Sequence, residues 1–467
     1  MVASANINCN DSEGIVFEKC ISACKISILS AVLVFMFAVP SNSATTGDLL
    51  FYYNLALKND PQLRGAEYES LATRETLRQA YAGLLPRISG DLSYTLTYQD
   101  INSSENKVYA VGSTDYNSMQ YGVNITQPLF RYASFVSVGQ AKSVLNRSAL
   151  ELEKARQDLA LRVVETYMDV LLNTDKLAAV KAEESAVELQ YEWAKERSEN
   201  GMAPITDRYD TEARLAAVKA QRVEAENALN DAFQALSEIS GVPAQDIKPL
   251  KDEILLTRPF PEDIAHWTEA GLKQNLEIQI QKLKAEIADK EVSRQRSAHY
   301  PTLDFQGDYN TNDTKGSLFG GGSNTSTYNL MLKLNIPIFE GGLIASKTRE
   351  AANLHQSALQ GVTKQNRAAE RKVRATYNGV VSAMARVAAM KKSVDAQMLV
   401  VEAKEEGFKA GLFISLAVLD AMQDLYRYKK EYSQARNDYI LNSFRLKHTV
   451  GTLNPEELNL VNAWLQD

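Results

Sequence analysis

Apolar residues recur every seven positions along two long stretches of this chain. Val373, Val380, Val387, Val394 and Val401 form an unbroken series, and Tyr377, Met384 and Met398 lie four positions after members of it. Earlier, Leu145, Leu152 and Leu159 are seven apart, and Val163, Val170 and Leu177 continue beside them. A sustained seven-residue repeat predicts a supercoiled helix whose seam faces another helix. Neither 133–200 nor 343–408 contains a proline. At 1.5 Å per residue each would be a rod of about 100 Å, too long to bury its seam against a compact core. Gly201 and Gly411 end the two rods as left-handed turn points, and helices predicted over 205–240 and 415–450 turn back along them.

Other periods flank the rods. Helical runs are predicted over 48–82 and 262–298, ended by Pro86 and Pro301. Next come stretches rich in Tyr, Thr, Asn, Ser and Gly. Within them ISGDLSYTLTY (88–98), MQYGVNIT (119–126), LDFQGDYN (303–310) and TYNLMLKLNI (327–336) partly alternate. These predict two β-hairpins with loops around 102–115 and 312–325, the second containing the GGG at 320–322.

The chain therefore repeats itself. QPLF at 127–130 matches IPIF at 336–339, 209 positions on, and RSAL at 147–150 matches QSAL at 356–359. Gly201 and Gly411, like Gly241 and Gly451, are 210 apart, whereas Pro86 and Pro301 are 215 apart. The expected division is a secretory signal over 1–44, a first repeat over 45–241 and a linker over 242–261. A second repeat over 262–451 and a C-terminal segment over 452–467 complete it. The fold class expected is mostly α with a small β part.

Composition narrows the function. The chain has 467 residues, 45% hydrophobic and 23% charged, with a net charge of −7, which argues against nucleic-acid binding. Histidines 266, 299, 355 and 448 are scattered without ligand spacing, and no phosphate-binding loop or nucleophile elbow is present. No enzyme activity, metal or cofactor is expected. Lys19 and Lys25 precede the apolar run 26–39, and small residues follow it, the pattern of a cleaved signal. Cys9, Cys20 and Cys24 all lie in that leader. The exported chain is thus expected to lack disulfides, and no cysteine follows the apolar run to carry a lipid. Residues 45–467 offer no transmembrane helix, so entry into a membrane would require a closed β-barrel.

Four strands are too few for a membrane barrel, which starts at about eight, and open edges invite pairing. The chain is therefore expected to assemble from two, three or four copies. Two classes of function fit: a transport duct, or a structural or adhesive coiled-coil protein of the cell envelope.

The order strand, PLF, long helix, glycine turn, helix, twice over, resembles the TolC family of outer-membrane efflux and secretion ducts. The similarity runs from about 48 to 461 and is carried by GMAPITDRYDTEA, GLFISLAVLDAMQDLY, QPLF, IPIFEGG and VGTLNPEEL. The resemblance implies a homotrimer with a shared 12-stranded barrel in the outer membrane lipid of a Gram-negative bacterium. It also implies a helical cylinder in the periplasm, with the C-terminal segment near its middle. The partners it implies are a periplasmic adaptor (membrane fusion) protein and, through it, an inner-membrane pump or ABC transporter. Gly201, Met202, Gly411 and Leu412 match the family's adaptor-docking tips. Thr206 and Asp207 match residues of a hydrogen-bonded lock between tip helices, and Asp420 matches one of two aspartates ringing the periplasmic constriction. The second ring position is Ala417 here, the lock's tyrosine and arginine positions are Phe408 and Phe413, and Asp210 is an added carboxylate. A closed acidic constriction with altered bonds is therefore expected, with Asp207, Asp210 and Asp420 as its carboxylates.

Overall fold

The structure, a computed structural model, describes residues 47–103, 105, 111–251, 254–316 and 321–466. The signal expected over 1–44 lies outside the described residues. Two elements, α1 (Leu49–Asn59) and α2 (Pro61–Ala82), precede the hairpin β1 (Arg87–Ile101) and β2 (Gly112–Phe130). Then α3 (Tyr132–Glu199) and α4 (Ile205–Ser240) form the first long helical hairpin. The order repeats as α5 (Ile264–Gln274), α6 (Leu276–Arg296), β3 (Thr302–Thr314), β4 (Ser323–Asn335), α7 (Leu343–Lys409) and α8 (Ser415–Val450). A short α9 (Leu458–Asn462) follows. Among the described residues no helix is long and apolar enough to cross a membrane.

The long helices begin and end within a residue or two of where the heptads and glycines put them. Two expectations need correction. The runs 48–82 and 262–298 are not single helices. Each breaks once, at Asp60 and at Asn275, again 215 positions apart. Asp60 precedes Pro61, which disfavours helical backbone at the preceding residue, and its carboxylate accepts from the Leu63 N–H at 2.7 Å. Asn275 does the same for Ile278 at 3.0 Å and donates to the Thr449 carbonyl at 2.7 Å. The strands are also longer than the alternation suggested: β2 starts at Gly112, β3 runs to Thr314 and β4 starts at Ser323. Their outer ends are mostly Asn, Asp, Ser and Thr, whose pattern is silent; the neighbouring strand holds them by its hydrogen bonds.

All four strands form one antiparallel sheet in the order β1-β2-β3-β4. Arg87 pairs with Thr126 and Thr302 with Asn335, so the second hairpin copies the register of the first (87 to 302, 126 to 335). The two halves join by pairing β2 with β3, with an irregularity between Pro128 and Phe130. There Arg131, the residue that caps α3, donates two parallel hydrogen bonds to Asp304, at 2.8 and 2.7 Å.

The largest core lies midway along the helices. Leu49, Tyr52, Leu159, Val163, Tyr167, Leu236, Val373, Val380, Tyr439, Ile440 and Phe444 are buried there, with Leu458, Val461 and Leu465 from the C-terminal segment. Each such side chain contributes about 1.5–3 kcal/mol on burial. The linker crosses this belt: Tyr167 donates to the Lys248 carbonyl, and Leu250 bridges to Leu465. His448 on α8 and Asp158 on α3 are hydrogen-bonded at 2.7 Å. Burial would raise the Asp158 carboxyl, but its bonds to His448 and Lys154 outweigh this and hold it below the usual carboxylate range. The valine seam of α7 is buried at 373, 380, 387 and 401. Met398, expected on the seam, is exposed.

Gly201, Gly241, Gly411 and Gly451 all have left-handed φ, between 69° and 88°. Their surroundings differ. A Cβ on Gly201 would meet open space, whereas one on Gly451 would sit 2.6 Å from the Gln274 carbonyl oxygen. Gly201→Ala should therefore cost only the backbone term, about 1–2 kcal/mol. Gly451→Ala should cost clearly more, because α8 must separate from the α5–α6 joint. Thermal unfolding of the purified protein in detergent compares the two, and equal losses would contradict this account.

Candidate functional site

Two surfaces carry the chemistry: the faces of the sheet and the far ends of the helical hairpins. Side chains alternate across a strand, so the register assigns every residue to a face. One face carries Arg87, Ser89, Asp91, Ser93 and Thr95 of β1, and Ser118, Gln120, Asn124 and Thr126 of β2. On β3 and β4 it carries Gln306, Asp308, Asn310 and Asn312, then Thr325, Thr327, Asn329 and Lys333. Hydrogen bonds cross-link it: Asn124 donates to Asp91 at 2.7 Å, and Asn329 to Asp308 at 2.8 Å. The opposite face carries Ile88, Leu92, Tyr94, Leu96, Val123, Ile125, Phe305, Tyr309, Tyr328, Leu330 and Leu332. Most of these apolar side chains are exposed in a single chain. A largely polar face, with Tyr116 and Met331 as its exceptions, behind an apolar, tyrosine-bearing one is the pattern of a membrane barrel with a wet lumen.

At the other end, the two tips are built alike. After α3 the Met202 N–H donates to the Arg197 carbonyl at 2.8 Å; after α7 the Leu412 N–H donates to the Gly407 carbonyl at 2.8 Å. These bonds, closed over a left-handed glycine, stop both helices in one conformation. Pro204 and Ile414 then sit extended and start α4 and α8. Met202 and Leu412, the residues after the glycines, are 71% and 77% exposed. Ile205, Tyr209, Phe413, Ile414 and Leu416 are exposed beside them, giving each tip an apolar crown.

The carboxylates separate into two kinds. Asp207 lies in the first turn of α4, half-buried, where the helix dipole favours it. Asp210 and Asp420 are each six residues into their helices and exposed, and α8 has no acidic residue in its first turn. The dipole acts mainly within the first turn, so it does not account for Asp420. Val418, Leu419 and Ala421 around Asp420 are buried. Thr206 is exposed.

The two phenylalanines are packed within their own chain. Phe408 is buried among Val401, Val418, Met422 and Leu425, with the Arg197 guanidinium 5.1 Å from its ring centre. That contact brings the end of α3 against the end of α7. The Phe413 ring lies over Gly407, where a Cβ would meet its Cδ2 at 2.4 Å. Neither ring can take part in a hydrogen-bonded lock with Thr206 or Asp207. The structure thus places Thr206 and Asp207 in one tip, and Phe408 and Phe413 in the other.

One group escaped the sequence reading. Glu183 of α3 is only 2% exposed, yet it bonds Arg214 of α4 at 3.1 Å and Lys430 of α8 at 3.3 Å. Tyr426 of α8 donates to the adjacent Ala182 carbonyl at 3.1 Å. Val180, Glu183, Val187, Gln190 and Ala194 are buried at alternating spacings of three and four, so Glu183 occupies a seam position. A polar residue in an apolar seam fixes which helices meet and in what register. That spacing was the available signal.

Among the described residues no group of three His, Cys, Asp or Glu could hold a metal. The chain matches the family model described as outer membrane efflux protein over residues 52–242 and 267–452. Outer membrane protein TolC of Vibrio cholerae is 29% identical over 428 residues, covering 91% of this chain and 95% of the relative. The alkaline protease secretion protein AprF of Pseudomonas aeruginosa is 28% identical, covering 89% and 86%. In fold, the chain is similar to the Campylobacter jejuni CmeC outer membrane channel, with a TM-score of 0.74, 18% identity and 90% of each chain covered.

Glu183→Leu should leave Arg214 and Lys430 without their shared partner. Both cations reach solvent, so the loss should be about 2 kcal/mol, below that of a fully buried pair. Hydrogen exchange should then show faster opening of the hairpin ends than of the mid-helix core; uniform loss across the helices would contradict a local joint.

Proposed function

The chain belongs to the outer membrane efflux protein family, and from that premise we propose that three copies share a 12-stranded barrel and act as an outer-membrane exit duct. The observation that carries the reading is the division of one sheet into a polar and an apolar face. A fibre or adhesin has no use for it. Twelve strands about 4.8 Å apart and tilted about 40° enclose a backbone diameter of roughly 24 Å. With about 5 Å of side chain on each side, roughly 14 Å stays open, enough for small molecules or an extended polypeptide. The similarity to a protease secretion protein supports polypeptide cargo, and the family description supports efflux.

The helical hairpins run away from the sheet, so their tips form the periplasmic entrance. We assign the apolar crowns around Gly201–Met202 and Gly411–Leu412 to docking of a periplasmic adaptor, which links the duct to an inner-membrane pump or ABC transporter. Asp210 and Asp420 form the acidic part of the entrance. Each would occur three times around the axis. Two carboxylates about 6 Å apart interact by about 0.7 kcal/mol in bulk water, and by several-fold more in a narrow mouth. Such a ring concentrates cations and weakens anion entry.

Two measurements test this. In planar bilayers the protein should conduct with cation preference, reduced by Asp420→Ala and by Asp210→Ala, and reduced most by the double change; an unchanged reversal potential in the double variant would sink the ring. Gly411→Pro removes the N–H that bonds the Phe408 carbonyl at 3.0 Å and forbids the φ of 78°. It should abolish export while trimer and conductance persist, and normal export would rule out docking at this tip.

A further inference from the structure

Within one chain, the first half meets the second by pairing β2 with β3 and by packing α3 against α6. In a ring of copies, the second half of each chain must meet the first half of the next in the same way. The mapping near the sheet is fixed: β1 and α2 match β3 and α6 at an offset of 215, and β2 and the first turns of α3 match β4 and the first turns of α7 at 209, which becomes 210 only at the tips. The contacts of the internal junction on and beside the sheet can therefore be carried over to the external one. This rests on the proposed ring of copies, and it specifies the joint that closes it.

The β2–β3 pair Val123↔Tyr309 maps onto Leu332 of one copy opposite Tyr94 of the next, and Asn124↔Asp308 onto Lys333 opposite Ser93. The mapping pairs apolar face with apolar face and polar with polar, as it must, because the two offsets differ by an even number. The pair Phe130↔Leu303 maps onto Phe339 opposite Ile88. Ile338 and Phe339 are 94% and 86% exposed in the single chain, and Ile88 is also exposed. The helices agree. Internally Ser143 donates to Glu286 at 2.8 Å; the matching positions are Ala352 and Leu71, an apolar contact, and Leu71 is 50% exposed on its own chain.

The clamp at the junction changes sign. Internally Arg131 grips Asp304. The position matching Arg131 is Glu340, and that matching Asp304 is Ser89, with Arg87 two residues away on the same face. Arg87 and Glu340 are both exposed, and among the described residues neither has an ion-pair partner within its chain. We propose that neighbouring copies join β4 to β1 in this copied register, and that Glu340 of one copy pairs with Arg87 of the next. The external junction thus carries its acid on the opposite side from the internal one.

Residues 45–467 contain no cysteine, so introduced pairs report cleanly. Facing residues on neighbouring strands bring their Cβ atoms to about 4.5–5.5 Å, while pairs shifted by two lie about 7–8 Å apart. Ser93→Cys with Lys333→Cys should form disulfide-linked trimers on mild oxidation, several-fold more than Ser93→Cys with Met331→Cys or Asn335→Cys. A shifted pair that links better overturns the register. Arg87→Glu and Glu340→Arg should each lower the temperature at which trimers dissociate in detergent, and the double variant should recover it. No recovery overturns the clamp. If the unmodified protein scatters light as a monomer in detergent, the ring itself fails, and with it the reading on which both rest.

Discussion

The structure depends on one constraint: a seam of buried valines and leucines that runs along a rod far longer than any globular core. Burial at 373, 380, 387 and 401 needs α8 to return along α7, as α4 returns along α3, with Gly271 of α5 also closing over Val373. From this follow the glycine turns at the far ends and the tips that a partner can reach. The pairing also leaves apolar side chains such as Leu354 and Leu399 of α7 exposed in the single chain. The same requirement explains Glu183. Between otherwise similar apolar stripes, one buried carboxylate held by Arg214 and Lys430 fixes which helices face each other.

The second organising fact is duplication with unequal chemistry. Backbone geometry is conserved between the halves, down to the hydrogen-bond pattern of the tips and the hairpin registers. Side chains are not. Asp60 and Asn275 cap equivalent helices with different groups, and Arg131 faces Asp304 where its counterpart is Glu340. A repeated scaffold lets one chain supply two kinds of junction, one that is covalently continuous and one that must find its partner.

Much of this was legible in the residues, for physical reasons that can be named. The rods were, because heptads and the absence of proline act over many turns and sum. The tips were, because a left-handed backbone leaves glycine as its mark. The breaks at Asp60 and Asn275 were missed because a cap costs one residue and leaves the apolar spacing intact. The outer strand ends were missed because their Asn, Ser and Thr are held by the neighbouring strand and not by an apolar face. At the tips, the sequence locates the aspartates in the chain, but the packing of Phe408 under Arg197 depends on a contact between distant segments, and that of Phe413 over Gly407 on the shape of the turn. For Glu183, the seam position was visible, yet its partners come from two other helices.

The polar face of the sheet has a consequence for movement along it. Its amides and hydroxyls offer donors and acceptors in near-equal measure, and its few carboxylates, such as Asp91 and Asp308, are already engaged by neighbouring asparagines. Along most of it a passing solute can exchange one hydrogen bond for the next, since net gains per neutral bond are only about 1 kcal/mol; the cations Arg87 and Lys333 are confined to the end of the sheet nearest the helices. Such a wall works as a wet bearing: it stays hydrated and holds a neutral solute only briefly at each step.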